Sequence, residues 1–331
     1  MQLFLRFHHH TILVTSNERA VLEKLQEEFH FFTSQGDEVP DVRVDLVQGE
    51  LPEIPAMVAD RILEHVTIYR LGDRQYFDYQ GEALTVRDHL EETIHVHSKD
   101  TERLFELGFL AIHSILGIKL DLAGFSRLHA VAISYLRTNL VVMLPSKGGK
   151  STLLTNLLLN EQVKIISDDM PLVDSRGRIH PFPAKLGLNK IPEGPLSKLK
   201  WTEFKRTYYP PKWVAGLSQI KDRIETESAN QPTILLAGLR LSRGKSFIQD
   251  VPKWKMIKPL LEHMIIGIGL PQIIELFLRF NLTDLYNLPK HFVIRSLAAF
   301  RLAQTSRCCF LYLGQSPTES AEVLLRVVNE D

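Results

Sequence analysis

The sequence predicts a mixed α/β protein, with a small strand-rich unit over residues 1–100 and a larger α/β domain over residues 101–331. Three features predict it. Short alternating segments bounded by turn residues crowd the first hundred positions, apolar residues at helical spacing fill Thr101–Leu116, and from about Arg127 buried strands take turns with helices.

Leu3–Val14 reads as one apolar strand. The run His8-His9-His10 inside it reads as chance polar positions rather than a metal site, because neighbouring strand residues face opposite sides. Ser16-Asn17-Glu18 starts a helix over Ala20–Phe31, and Val42–Val47 alternates as a strand. Val66–Tyr69, Gln75–Tyr79 and Leu84–Val86 form an antiparallel meander turning at Gly72-Asp73 and Gln80-Gly81. Next, Leu128–Ile133 and Leu140–Leu144 make a hairpin through Tyr135–Asn139. A glycine turn at Gly148-Gly149 leads into a helix over Ser151–Leu159, and Val163–Ile166 is a buried strand ending in Ser167-Asp168-Asp169. Leu172–Asp174 and Arg178–His180 form a further hairpin, with strands again at Thr233–Leu241 and Cys308–Leu313. Helices are expected at Trp254–Met264, Leu270–Phe280, Pro289–Ala303 and Pro317–Val328. Pro192–Pro232, rich in Pro, Lys, Trp and Tyr, is expected to be an irregular excursion.

Hydrophobic residues are 44% and charged residues 24% of the 331, enough for a core of ordinary size without disulfides or a structural metal. Thirty-nine basic residues balance 39 acidic ones, which disfavours a nucleic-acid partner. Met1–Phe7 has no charged start followed by an apolar run, so no signal peptide is expected. The apolar stretch from Met264 to Phe280 is broken by Pro271, Gln272, Glu275 and Arg279, and reads as buried helix rather than a membrane span. Cys308 and Cys309 are adjacent and read as reduced residues of a buried strand, which points to the cytoplasm.

Chemistry concentrates around Leu144-Pro145-Ser146-Lys147-Gly148-Gly149-Lys150-Ser151-Thr152. An apolar strand precedes it and a helix follows, the setting a phosphate-cradling loop requires. Amide groups of Ser146, Lys147, Gly148, Gly149 and the first turn through Thr152 would meet a polyphosphate. Lys150 would bridge its β- and γ-phosphates, and Ser151 would ligate magnesium. The first glycine of the usual pattern is Leu144 here. Asp168 and Asp169 follow at the end of a buried strand, where one carboxylate can serve the metal and the other accept a proton from an attacking hydroxyl. A solvated turn is the plain alternative. His129, in an apolar stretch, is by itself more often a core residue.

His129-Ala130, the loop Ser146–Thr152, Ile166-Ser167-Asp168-Asp169 and His180-Pro181-Phe182-Pro183 resemble, in order and spacing, relatives of the HPr kinase/phosphorylase family. That family has a phosphoenolpyruvate-carboxykinase-like nucleotide domain with a P-loop. The resemblance covers about residues 101–331 and is dense from Leu128 to Leu188. It implies ATP- and Mg2+-dependent phosphorylation of a serine hydroxyl on a peptide or protein. It further implies that His129 and Lys150 lie in the active site, that Asp168 is the proton acceptor, and that Asp169 holds the metal with Ser151. Leu144 and Lys147 replace two glycines usual in the family, and no match to the signature tied to the reverse phosphorolysis is present. The chain therefore resembles a kinase-only relative, and similar stand-alone relatives include kinases of the C-terminal serine of lasso peptides. A homo-oligomer is compatible with the sequence, which does not fix the oligomeric state.

Lys185 and Asn189 could border the site, and Arg240 and Arg243, at and just past a strand end, could neutralise a transferring phosphoryl group, with a plain surface strand end as the simpler account. Lys205, Arg206 and Lys212 could greet an acidic partner, with a solvated loop as the simpler account. Trp201, Phe204, Tyr208, Tyr209 and Trp213 could form a peptide-docking lid or anchor a loop. Three functions remain after the residues are weighed: a serine kinase, a kinase of small hydroxylated metabolites, and a nucleotide-sensing module without catalysis. A carboxykinase acting on oxaloacetate is a remote fourth, since it would need additional arginines and metal ligands that no motif here places.

Overall fold

Turn residues break the first hundred positions into short extended segments, which can satisfy their backbone groups only by pairing with one another. The computed structural model describes residues 1–36, 39–145, 148–205, 207, 210–270 and 282–330. The chain forms mixed α/β structure in two compact units. One comprises Met1–Lys119 with Phe204–Pro211, the other Leu120–Glu203, Lys212–Leu270 and Leu282–Asp331. The division falls inside a helix rather than at residue 100, and a later stretch returns to the first unit.

In the first unit the elements are β1 (Gln2–Phe7), β2 (His10–Ser16), α1 (Arg19–Glu28), β3 (Thr33–Ser34), β4 (Val42–Gln48), β5 (Ala59–Ile62), β6 (Thr67–Leu71), β7 (Arg74–Asp78), β8 (Ala83–Asp88), β9 (Thr93–Ser98) and the start of α2 (Thr101–Leu122). They build a nine-stranded sheet in the order β3-β1-β2-β4-β9-β8-β7-β6-β5. The pairs β2/β4 and β4/β9 are parallel and the rest antiparallel, because α1 and then the meander carry the chain back between them. Val14, Val44, Leu46, Ile94 and Val96 are in register on one face of the sheet and are buried. Gly108 lets α2 approach closely, since a Cβ there would lie 2.9 Å from Leu46 Cδ1. The expected single strand Leu3–Val14 is a hairpin: His8 turns the chain with φ of 56°, so His8 and His9 form the turn and His10 opens β2.

The second unit contains β10 (Phe125–Arg127), β11 (Val131–Tyr135), β12 (Thr138–Met143), α3 (Lys150–Leu157), β13 (Lys164–Ser167), β14 (Leu172–Asp174), β15 (Ile179–His180), β16 (Lys185–Leu188), β17 (Thr202–Phe204), β18 (Lys212–Gly216), β19 (Thr233–Arg240), β20 (Phe247–Asp250), α4 (Ile257–Leu260), α5 (Leu282–Thr305), β21 (Arg307–Leu313) and α6 (Pro317–Arg326). A six-stranded sheet runs β13-β11-β12-β19-β21-β20, flanked by small sheets β10-β14-β15 and β16-β18-β17. β12, β19 and β21 are parallel, whereas β11 is antiparallel to both of its neighbours. Val141, Met143, Leu235, Ala237 and Cys308 on one face pack with Met256, Leu260, Met264, Ala298 and Leu302 from the helical layer above.

Two expectations are corrected here. Pro192–Pro232 is not irregular throughout, because β17 and β18 pair within it. Trp254–Met264 is not one α-helix but a 3-10 turn over Lys253–Met256, the single turn α4, and a π-helical turn over Leu261–Ile266. The expected helix Leu270–Phe280 lies, apart from Leu270, outside the described residues. α5 starts earlier than expected and runs through Pro289. Cys308 and Cys309 are buried free thiols, and burial together with Asp250 pushes the Cys309 thiol up to about 12. Among the described residues no helix is long and apolar enough to cross a membrane.

Candidate functional site

Strand order brings the candidate residues together. β12 leads into the glycine turn and α3, and its antiparallel neighbour β11 therefore begins at the edge where β12 ends. β13, antiparallel to β11 in turn, ends at that same edge. His129 ahead of β11, Lys150 after β12, and Asp168-Asp169 after β13 thus converge, at the carboxyl ends of strands where open α/β sheets place their ligands.

Lys150 is buried on the first turn of α3. Its Nζ donates to the carbonyl of Leu144 at 3.0 Å, lies 2.8 Å from His129 Nε2, and stands 3.8 Å from Asp169 Oδ1. His129 Nε2 is also 3.2 Å from Asp169 Oδ1. One ring nitrogen cannot accept from the lysine and donate to the carboxylate together, so only one of the two contacts is a hydrogen bond of the ring at a time. Burial lowers the proton affinity of Lys150, opposed by the charges of Asp169 and Asp168 and reinforced by Lys212. Desolvation works against the charge of Asp169, but His129, Lys150 and Lys212 outweigh it and hold its carboxyl below the usual range.

Asp168 behaves differently. Burial and then the charge of Asp169 push its carboxyl up to about 7, only partly offset by the Gly187 N–H and the ammonium groups of Lys212 and Lys150. Gly187 N donates to Oδ2 at 3.1 Å, while Oδ1 is buried with no hydrogen-bond partner among the described residues. Two adjacent carboxyls are thereby driven apart in proton affinity, one ionised and one poised to take or give a proton near neutrality.

The turn itself is built from close approaches. Gly149 caps α3 with φ of 98°, a left-handed conformation that glycine adopts without strain. Gly148 N donates to Pro145 O at 2.9 Å, and a Cβ on Gly148 would come within 2.8 Å of that oxygen. Leu144, in place of a glycine, is accommodated by a glycine elsewhere. Its side chain lies over Gly238 of β19, where a Cβ would sit 2.2 Å from Leu144 Cδ2. Arg240 at the end of β19 brings Nη1 to 3.7 Å from the Cβ position of Gly149, which puts a guanidinium beside the turn.

Of the other sequence candidates, Ser151 is half-buried and Thr152 exposed on the first turn of α3, and Ser146 and Lys147 lie outside the described residues. Lys212 is more than a loop cation: it opens β18, and its stem runs beside Gly187, whose Cβ position is 3.8 Å from Lys212 Cδ. Arg243 occupies an exposed bend, and Asn189 and Lys205 are exposed. His180 is drawn away to Asp174, with Nε2 3.0 Å from Oδ2. The lid reading loses two members: Phe204 is buried against Phe105 and Phe109, and Trp201 Nε1 donates to Leu196 O at 2.9 Å. Arg206, Tyr208 and Tyr209 lie outside the described residues.

Gly187, His263 and Gly269 were not singled out in the sequence. The only sequence signal for the last two is a histidine followed by a Gly-Ile-Gly segment in an apolar run. Among the described residues no group of three or more His, Cys, Asp or Glu could enclose a metal. No protein-family model matches the chain, and no curated protein sequence matches it.

Proposed function

We propose that this chain is a magnesium-dependent kinase that transfers the γ-phosphoryl group of ATP to a serine hydroxyl of a peptide or protein. In this reading its second unit is a phosphoenolpyruvate-carboxykinase-like P-loop domain related to the HPr kinase/phosphorylase family. The observation that carries the reading is Asp168: a buried carboxyl at about 7, with one oxygen steadied by Gly187 and the other unpartnered, next to a lysine-bearing glycine turn.

Asp168 Oδ1 is the proton acceptor. Serine Oγ attacks the γ-phosphorus, its proton passes to Asp168, and the bond to the bridging oxygen breaks to release ADP. A proton affinity near neutrality suits a general base, which must be ionised before transfer and basic enough to take the proton. Lys150 and Arg240 supply fixed positive charge on two sides of the turn. The hydroxyl of Ser151 and the carboxylate of Asp169 are the groups that would hold magnesium, which takes its remaining ligands from phosphate and water. Magnesium, when bound there, would neutralise charge on the transferring oxygens.

The first acceptors to test are peptides ending in serine, of the lasso type. The full chain is incubated with labelled ATP and magnesium against a panel of serine peptides and a panel of small hydroxylated metabolites. Label in a peptide is the expected result. Label only among the metabolites makes it a small-molecule kinase, and nucleotide binding with no product in either panel makes it a sensing module.

A further inference from the structure

His129 lacks the usual means of holding a working imidazole. A histidine that acts through one ring nitrogen is commonly oriented by a hydrogen bond at the other. Here Nδ1 is buried and has no hydrogen-bond partner among the described residues, while Nε2 faces Lys150 and Asp169 at 2.8 and 3.2 Å. Something else must fix the ring.

The surroundings supply it. The π-helical turn Leu261–Ile266 places the carbonyl of His263 where it accepts from His129 N at 2.9 Å, with the two rings 5.5 Å apart. Beyond the turn, Gly267 and Gly269 take φ of 76° and 92°. A Cβ on Gly269 would fall 2.1, 2.4 and 2.8 Å from Cε1, Nδ1 and Nε2 of His129, so the bare Cα of this glycine rests directly on the imidazole. Arg295 of α5 fastens the turn from outside, giving Nη1 to Ile265 O at 3.1 Å and Nε and Nη2 to Asp121 Oδ2 at 2.9 and 2.6 Å. π-helical turns are rare and concentrate at functional sites.

We propose that the π-helical turn Leu261–Ile266 and Gly269 form a steric collar that orients His129, with Gly269 the positioning residue that determines where Nε2 points. The collar replaces the missing hydrogen bond at Nδ1 with packing. The catalytic consequence rests on the kinase reading, whereas the collar itself does not.

The test is Gly269→Ala in the full chain, with Gly267→Ala as the control. Both put a side chain on left-handed backbone in the same segment, but at Gly267 the Cβ meets Leu270 Cδ1 at 2.9 Å instead of the imidazole. Two readouts are taken: kinetics with nucleotide and acceptor, and ring-nitrogen NMR shifts of 15N-labelled His129. In Gly269→Ala, kcat should fall on the order of 100-fold with nucleotide affinity unchanged, as expected for a misplaced group. The His129 ring signals should move in Gly269→Ala and stay put in Gly267→Ala. In a His129→Ala background, Gly269→Ala should have no further effect on kcat.

If Gly269→Ala fails to fold, adding His129→Ala should restore folding, because the obstructing ring is gone. The collar is overturned if ring signals are unchanged in Gly269→Ala, if both glycine variants lose activity alike, or if the penalty persists without His129. Should the unaltered chain transfer no phosphate to any acceptor, the kinase reading fails alone and the ring signals still decide the collar.

Discussion

Burying the Asp168 carboxyl beside Asp169 costs folding free energy whenever both are charged. The carboxyl titrates at about 7 in the fold against an ordinary 3.8, so the folded state binds its proton more tightly than the unfolded chain. Stability is therefore lost as pH rises from the unfolded value towards 7, and the loss is complete above it. Asp168→Asn should raise the unfolding free energy by up to about 4 kcal/mol at high pH, and by little in acid where both states are protonated. Urea denaturation at the two pH extremes reads this directly, and equal stability at both would contradict a strained buried charge. Lys150→Met should weaken nucleotide binding about 10- to 100-fold, the worth of a charge-assisted hydrogen bond, as measured by calorimetry. An unchanged affinity would remove Lys150 from the phosphate role. Both residues were legible in the sequence because their signals are local: a Gly-Gly-Lys-Ser turn after an apolar run, and two aspartates closing a buried strand. His263, Gly187 and Gly269 were not, since each reaches the site across a long stretch of chain with no spacing that marks it.

At the level of elements, the departure at Leu144 is absorbed by the neighbouring strand rather than by the turn. Gly238→Ala should cost about 1–3 kcal/mol through overpacking against Leu144, and the cost should shrink in a Leu144→Ala background. Equal penalties in both backgrounds would show that the two side chains do not share that space. The β14–β15 hairpin carries a separate pH signature. Burial opposes the charge of Asp174, but the amides of Arg178 and Arg176 with the side chains of His180 and Arg178 hold its carboxyl down to about 2. Its contribution, about 2 kcal/mol, is full above the unfolded value and lost as pH falls towards 2. The stability gap between the unaltered chain and Asp174→Asn should therefore close in that acid window. The hairpins β11–β12 and β14–β15 were legible because turn residues and periodicity are short-range, whereas the β1–β2 hairpin, turning at two histidines, carried no such signal. The π-helical turn was not legible either, because its residues keep the apolar spacing of an ordinary helix.

Over the whole molecule, the sequence suggested a boundary at residue 100, but the first compact unit extends to Lys119 and regains Phe204–Pro211. Leu104, Leu107 and Ala111 of α2 are buried in that unit, and Gly108 meets Leu46 there. A chain beginning at residue 101 should therefore expose an apolar helix face, bind a hydrophobic dye and self-associate, whereas the full chain should not. A well-behaved truncated chain would argue for a boundary near residue 100. The mixed α/β character was visible in advance because it is a sum of local patterns. The alternating strand order that gathers His129, Lys150 and the two aspartates was not, since pairing between distant strands leaves no local trace. The most direct measurement of the central claim compares the unaltered chain with Asp168→Asn, reading nucleotide binding and intact mass of a serine peptide side by side. The account predicts that the variant binds ATP and magnesium as before while transfer falls about 10²- to 10⁴-fold, the worth of a general base. Undiminished phosphorylation by the variant would contradict it.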